Sequence, residues 1–157
     1  SALGLDVGQH PTLELPIDLS KSFLSQRSYA QVSDRYTKPV VALKPLNWGS
    51  GFHRVKGKNF TIDSHLFLFH FGLVDLDHAT QSTQNEQLLS SGWEGHFKRR
   101  HQLYEALKSQ SARDGDTFFK VARDYFKNHR KWYAWNKPAP LRDHGVISIP
   151  KRFQTLV

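Results

Sequence analysis

The sequence predicts an α+β fold in which a small mixed β-sheet is followed by a mostly helical C-terminal half. In the first half the apolar runs are short and aromatic or β-branched, as in "LFLFHFGL" at residues 66–73. In the second half apolar residues recur every three or four positions, which is the helical spacing. At 157 residues the chain is about one domain in length. We therefore expect a sheet region over residues 1–80 and a basic, aromatic-rich helical region over 81–157, packed on the same domain.

The first half is predicted to contain three short strands. Residues 1–20 contain two prolines and are expected to form an extended lead-in or edge segment, because proline continues neither a helix nor a central strand. A short helix is expected within residues 20–35, capped by a serine. Strands are predicted at residues 39–46 ("PVVALKPL"), around residues 60–62, and at 66–73. A glycine-rich "WGSG" loop separates the first two.

Two helices are predicted after the last of these strands. The polar segment "DLDHATQSTQNEQLLSS" is expected to begin a helix near Asp75 or Asp77 and to end it before Gly92. The segment "EGHFKRRHQLYEALKSQ" brings apolar and aromatic residues to one side by three- and four-residue steps. Both segments therefore favour helix over strand.

A further helix and a final strand complete the prediction. Asp114 or Asp116 is expected to open "TFFKVARDYFKNHRKWYAW", whose apolar positions follow the helical period closely. Two prolines, Pro138 and Pro140, are expected to end this helix. The tail "VISIP" alternates briefly and is expected to add an edge strand.

Composition excludes several classes of protein and favours anionic partners. The absence of cysteine excludes disulfides and thiolate metal sites. The sequence contains no run of eighteen apolar residues, so it predicts no membrane-spanning helix. No P-loop, dinucleotide-binding, nucleophile-elbow or zinc-protease motif occurs. Residues 94–157 hold fourteen Lys and Arg against six Asp and Glu, whereas residues 1–93 hold eight of each. The excess charge predicts attraction to phosphates, nucleic acid or anionic lipid, or else a solvated helical surface.

Three ordered blocks carry a family resemblance. "SQRSYAQVSDRYTKP", "LNWGSGFH" and "LFLFHFGLVDLD" resemble, in this order and at similar spacings, the C-terminal half of bacterial family 2 glycosyltransferases of the GT-A type. Nothing in the chain resembles the N-terminal nucleotide-binding region of these enzymes, which carries an Asp-x-Asp metal motif. The later triplet Asp75-Leu76-Asp77 follows the histidine block and is not assigned that role. The match extends over roughly residues 20–80.

The resemblance implies an activity and a set of partners. The activity is metal-dependent transfer of a sugar from a nucleotide-sugar donor to a saccharide acceptor, in polysaccharide biosynthesis. Without the N-terminal region, the chain alone is expected to be inactive. A cytoplasmic location is the default expectation, and peripheral contact with the inner face of an anionic membrane is a further one.

Two histidines are the predicted metal-site residues. The resemblance places His53 at the position of a histidine that completes the site for Mn²⁺ or Mg²⁺. A neutral imidazole is a good ligand for Mn²⁺, and a metal bridging the diphosphate neutralises the leaving group. His70 lies inside the apolar run, where it is either a core residue or a partner that orients the metal ligands.

Basic and aromatic residues near these histidines are the predicted substrate contacts. Lys38, stiffened by the proline that follows it, presents a point charge to a phosphate, and Arg35 presents a bidentate fork. Arg27 and Arg54 are secondary candidates for the same role. Trp48, beside a glycine, is a candidate for stacking on a sugar or nucleobase.

A general base is required if the transfer inverts the anomeric centre, because the acceptor hydroxyl must lose a proton. Asp63 and Asp75 are the acids nearest the histidine block, and the sequence does not choose between them.

The alternative function is a non-catalytic anion-binding module. The segment "DYFKNHRKWYAWNKP" is predicted to form a helix that places Lys127, Arg130 and Lys131 beside aromatic residues. Such a helix suits either nucleic acid or an anionic membrane surface. No ordered nucleic-acid motif accompanies it, which disfavours nucleic acid.

Overall fold

A computed structural model of the chain describes residues 1–49, 55–56, 61–143 and 145–155, without the side chain of Trp135. Its main sheet has five strands: β1 (Leu3–Gly8), β2 (Tyr29–Val32), β3 (Phe67–Leu73), β4 (Arg113–Asp114) and β7 (Val146–Ser148). A separate hairpin joins β5 (Arg130–Lys131) to β6 (Ala134–Pro138). The helices are α1 (Leu76–Thr83), α2 (Glu86–Ser90), α3 (Glu94–Ser109), α4 (Gly115–Asn128) and α5 (Lys151–Gln154). The α+β class is confirmed.

The sheet is mixed, and its order is β3-β1-β2-β7-β4. β1 pairs with β3 in parallel and with β2 antiparallel, while β7 pairs antiparallel with β2 and in parallel with β4. The prediction that the first residues form a lead-in or edge segment is therefore wrong for residues 3–8. The prolines that suggested it lie at positions 11 and 16, after the chain has left the sheet.

The sequence of β1, "LGLDVG", gives the strand two different faces. Alternate side chains of a strand point to opposite sides of its sheet. Leu3, Leu5 and Val7 are fully buried in the main core, whereas Asp6 lies on the opposite face. The other residues of β1 on that face are Gly4 and Gly8, which have no side chains. The alternation thus places one carboxylate on a face that is otherwise without side chains from β1.

Helices cover both faces of the sheet. The main core packs β1, β2 and β7 against the apolar side of α4, with Phe118, Phe119, Ala122 and Phe126 buried. A second cluster packs α3, through Leu103, Ala106 and Leu107, against Leu73 and Val146. Fully burying one such side chain stabilises the fold by about 1.5–3 kcal/mol.

Three of the predicted elements in the first half differ from the structure. Residues 39–46 form no strand: Val41 is 61% exposed and Leu43 is fully exposed, with prolines on either side. The predicted helix within residues 20–35 is reduced to one 3-10 turn (Leu24–Gln26), after which β2 begins. Residues 61 and 62 form no strand, and residue 60 of that prediction lies outside the described residues.

The helix boundaries follow capping residues. Asp75 caps α1 by accepting a hydrogen bond from the His78 amide at 2.8 Å, and Asp114 caps α4 by accepting one from the Thr117 amide at 2.8 Å. The predicted polar helix is divided in two because Asn85 caps α2 in the same way. No helix within the described ranges is long and apolar enough to cross a membrane.

The C-terminal elements correct two predictions. α4 ends at Asn128, so the expected basic aromatic helix does not reach Pro138; the chain turns through Trp132 and Tyr133 into the β5–β6 hairpin. The tail forms β7 as expected, but β7 lies between β2 and β4 and is not an edge strand.

Candidate functional site: a basic cleft beside His70

The turn after β2 is fastened to β1 by hydrogen bonds to the backbone of Gly4. The Ser33 amide donates to the Gly4 carbonyl at 2.9 Å, and the Gly4 amide donates to Thr37 Oγ1 at 2.9 Å. A Cβ at position 4 would overlap the backbone of Tyr36, so this close approach requires glycine. The turn therefore holds its side chains in a fixed position over the face of β1 that carries Asp6.

Asp6 and His70 form a hydrogen-bonded pair on that face. They are register partners on adjacent parallel strands, and His70 Nδ1 lies 2.8 Å from Asp6 Oδ1. A Cβ at Gly72 would lie 2.8 Å from His70 Cε1 and 3.1 Å from Asp6 Oδ1, so glycine makes room for the pair. Because the carboxylate accepts the Nδ1 proton, Nε2 is the ring nitrogen left to accept a proton or ligate a metal.

The Tyr36 ring covers the His70 ring. Their centroids are 3.7 Å apart and their planes differ by 15°, which fixes the imidazole between Tyr36 and Asp6. Burial raises the pKa of the Tyr36 phenol, and the Asp6 carboxylate raises it further, against the opposing effect of nearby arginines. The phenol is therefore protonated at neutral pH and is a hydrogen-bond donor.

A cleft of about 630 Å³ opens beside this pair and is strongly basic. Five Lys and Arg side chains line it against one carboxylate, that of Asp34, whose Oδ2 lies 2.8 Å from Lys131 Nζ. The five cations come from the turn after β2, from α3, and from the hairpin: Arg35, Lys38, Arg99, Lys131 and Lys137. A concave surface lined by one sign of charge attracts ligands of the opposite sign, here anions.

A smaller pocket of about 240 Å³ continues from the cleft along α3. It is lined by Asp6, His70 and His96 together with Arg99 and Arg100. Desolvation by its neighbours lowers the pKa of His96, and the adjacent arginines lower it further. His96 is therefore neutral at pH 7, and the permanent positive charges that line this pocket are those of Arg99 and Arg100.

Four of the residues singled out from the sequence lie together. Arg35, Lys38 and His70 all line the basic cleft, and so does Lys131, which was predicted for the alternative anion-binding function. Trp48 pairs with Val55 in an isolated bridge and is not one of the cleft's described lining residues. His53 and Arg54 lie outside the described residues, so their predicted roles stay predictions.

The two candidate bases lie away from the cleft lining. Asp75 caps α1 and also accepts a hydrogen bond from the Ile17 amide at 3.2 Å. These bonds and Arg27 lower the pKa of Asp75. Asp63 accepts a hydrogen bond from the His65 amide at 2.7 Å in an exposed turn. The carboxylate that contacts His70 is Asp6, a residue that the sequence analysis did not single out.

The missed cleft residues had different signals. Asp6 had one, since "LGLDVG" alternates and a lone acid between glycines on the non-core face is an unusual choice for a strand. Arg99 and Lys137 had none, because they enter the cleft from a helix and a hairpin far along the chain. Lys131 was predicted to bind anions, but from a helix, whereas it lies in β5 of the hairpin.

The described residues provide an incomplete set of ligands for a divalent metal. Among the described residues, no group of three or more His, Asp and Glu side chains is placed to hold a metal. The pair of Asp6 and His70 nevertheless has the arrangement of a metal-ligating histidine, whose other nitrogen donates to a carboxylate. It could supply one ligand through Nε2.

Comparisons with protein-family models, curated protein sequences and solved structures found no match to this chain. The structure therefore defines the chain as an α+β protein with a concave site lined mainly by basic side chains.

Proposed function

We propose that the basic cleft binds the diphosphate of a nucleotide-sugar, and that the chain is part of a metal-dependent glycosyltransferase that passes the sugar to a saccharide acceptor. The observation that supports this is the shared cleft: Arg35 and Lys38, the diphosphate candidates from the sequence, line it together with His70. Sequence blocks that resemble family 2 glycosyltransferases contribute all three residues.

The cleft suits a diphosphate in charge and in shape. A guanidinium such as Arg35 or Arg99 can bind two phosphate oxygens with parallel hydrogen bonds, while Lys38 supplies a point charge. Transfer of the sugar leaves negative charge on the diphosphate, and fixed cations stabilise charge that develops during a reaction. The proposed role of the lysines and arginines is therefore both binding and stabilisation of the leaving group.

The proposed metal role falls to His70. Asp6 and Tyr36 fix the orientation of the imidazole, which leaves Nε2 as the ligating atom. When bound, a divalent metal would neutralise charge on the diphosphate. His53, predicted to share in this role, lies outside the described residues.

Calorimetric titration with UDP, with and without Mn²⁺, tests the proposal. The double variant Lys38→Gln/Arg99→Gln is expected to bind UDP about a hundredfold more weakly, since each charge-assisted hydrogen bond contributes about 1.5–3 kcal/mol. Uridine, which lacks phosphate, is expected to bind both proteins equally. His70→Asn is expected to remove the enhancement by Mn²⁺ while leaving metal-free UDP binding in place.

The matched control is Lys120→Gln, because Lys120 is an exposed lysine on α4 that lines none of the described pockets at the cleft. It is expected to bind UDP as the parent chain does. Folded protein that does not bind UDP, or UDP affinity that is the same in the double variant, would overturn the proposal.

A further inference from the structure

We propose that the protein docks peripherally on an anionic lipid surface through the tip of the β5–β6 hairpin and the segment of residues 40–44. This proposal goes beyond the binding of a nucleotide-sugar and does not depend on it.

The hairpin tip exposes two large aromatic side chains. Trp132 is 85% exposed and Tyr133 is 67% exposed, and their rings meet edge to face with centroids 5.5 Å apart. A covered aromatic side chain typically buries 150–250 Å², so leaving two of them in water forgoes a large hydrophobic gain. Tryptophan and tyrosine are also the residues enriched at membrane interfaces, where the ring lies among acyl chains and its polar atom reaches water.

A second exposed apolar group lies on the segment after Lys38. Val41 is 61% exposed and Leu43 is fully exposed. At one end of this segment, Lys38 lines the same cleft as Tyr133. At its other end, Trp48 pairs with Val55, whose carbonyl accepts a hydrogen bond from Asn136 of β6 at 2.6 Å. Before this segment the chain therefore lines a cleft that the hairpin also lines, and after it the chain is linked to β6 through Val55.

Cations lie close in sequence or in space to these apolar groups. Arg35 and Lys44 are exposed, and Lys38, Lys131 and Lys137 line the same cleft as Tyr133. Each Lys or Arg close to an anionic lipid surface raises the affinity of a protein for that surface by about fivefold. Exposed apolar side chains around a basic centre thus match the two components of an anionic bilayer surface, its acyl region and its headgroups.

The same surface fits nucleic acid less well. Single-stranded nucleic acid stacks its bases on open aromatic faces. Here the two rings stand at 85° to each other, so Tyr133 and Trp132 do not form a parallel platform. Val41 and Leu43 offer no ring at all. Aliphatic side chains gain from contact with hydrocarbon, which favours lipid.

Vesicle flotation tests the proposal on the whole chain. Vesicles of phosphatidylcholine mixed with phosphatidylglycerol are expected to bind the protein, and vesicles of phosphatidylcholine alone to bind it at least about tenfold more weakly. The variant Leu43→Ser/Trp132→Ser is expected to lose at least about tenfold in affinity for the mixed vesicles. Neither residue is a described part of the cleft lining, and both are exposed, so the fold is not at risk.

The matched control is Leu15→Ser/Leu19→Ser, because both leucines are 82% exposed but lie on a different segment. It is expected to bind the mixed vesicles as the parent chain does. Lipids brominated on their acyl chains should quench tryptophan emission in the parent chain. Trp132→Phe should keep vesicle binding but lose part of this quenching, which a change in folding would not produce.

Three results would overturn the proposal: no binding to the mixed vesicles, equal binding with and without phosphatidylglycerol, or equal losses in the test and control variants. Binding of a single-stranded oligonucleotide without binding to vesicles would also overturn it and assign the surface to nucleic acid. Titration of the same preparations with UDP measures nucleotide binding independently of vesicle binding. Failure of one proposal is therefore distinguishable from failure of the other.

Discussion

Arginine performs different tasks in two regions of this molecule. Arg27 is 1% exposed and donates to three backbone carbonyls, those of Val74 at 2.6 Å, Leu15 at 3.1 Å and Gln26 at 2.8 Å. In the basic cleft, Arg35 is exposed and Arg99 is half-buried, and both face a concavity that a ligand can enter. Arg27 fastens the segment after β1 to the end of β3, whereas the cleft arginines line a concavity that is open to solvent.

The difference shows what burial does to a cation. Burial lowers the pKa of Arg27, while Glu14 and Asp75 act against this. Backbone carbonyls accept hydrogen bonds from its Nε and Nη1, whereas its buried Nη2 has no hydrogen-bond partner among the described residues. A cation kept at a solvent-accessible cleft retains hydrogen-bonding capacity for something outside the chain. The sequence offered Arg35 as a primary and Arg27 as a secondary phosphate candidate, eight positions apart, and burial gives them different roles in the structure.

The largest expected effect is on stability, from Arg27→Ala. Three carbonyls would lose their donor, and we expect the free energy of unfolding to fall by about 3 kcal/mol or more. Arg35→Ala, at an exposed position, is expected to change it by less than about 0.5 kcal/mol. Urea denaturation followed by circular dichroism measures both. Equal midpoints for the two variants would remove the distinction between the regions.

Gly72→Ala is expected to have the next largest effect. β3 and the residue that follows it contact both regions, since His70 lines the cleft and the Val74 carbonyl accepts a hydrogen bond from Arg27. A Cβ at position 72 must displace the Asp6–His70 pair, which we expect to cost about 1–3 kcal/mol of stability.

Nuclear magnetic resonance separates the two regions in this variant. The His70 ring signals are expected to shift, while the Nε–H signal of Arg27 stays in place. A shifted Arg27 signal with unchanged His70 signals would contradict the placement of Gly72 under the pair.

The smallest expected effect is on the pH-dependent stability that Asp75, the cap of α1, contributes. Hydrogen bonds to the carboxylate, chiefly from the His78 amide, hold the pKa of Asp75 below its usual value. A carboxyl whose folded pKa is lowered contributes stability above its unfolded pKa of about 3.9 and loses it as pH falls through the folded pKa. Asp75→Asn keeps the cap but removes the charge, so we expect a loss of about 0.3–1 kcal/mol at pH 7.

The loss from Asp75→Asn should disappear at a pH below the folded pKa, where both side chains are neutral. Urea midpoints at neutral and at strongly acid pH measure this. A difference between the two proteins that persists unchanged in acid would show that charge at Asp75 is not the cause.

Local sequence was sufficient where one element carries its own signal. The capping aspartates and the helical period located α3 and the start of α4, and the apolar run at residues 66–73 located β3. It failed where the same local pattern fits two environments. "PVVALKPL" has the composition of a strand, but a strand needs a neighbour, and no described strand pairs with these residues. Likewise β7 became an internal strand because both β2 and β4 pair with it.

The sequence by itself determined the α+β class, the aspartate caps of α1 and α4, and the presence of Arg35, Lys38 and His70 in one stretch of chain. Only the tertiary structure decided that Asp6 pairs with His70 and that Arg99, Lys131 and Lys137 complete the cleft. The physical reason is sequence distance. Helical periodicity and capping act over a few residues, whereas Asp6 and His70 are 64 residues apart and meet only because β1 and β3 pair in register.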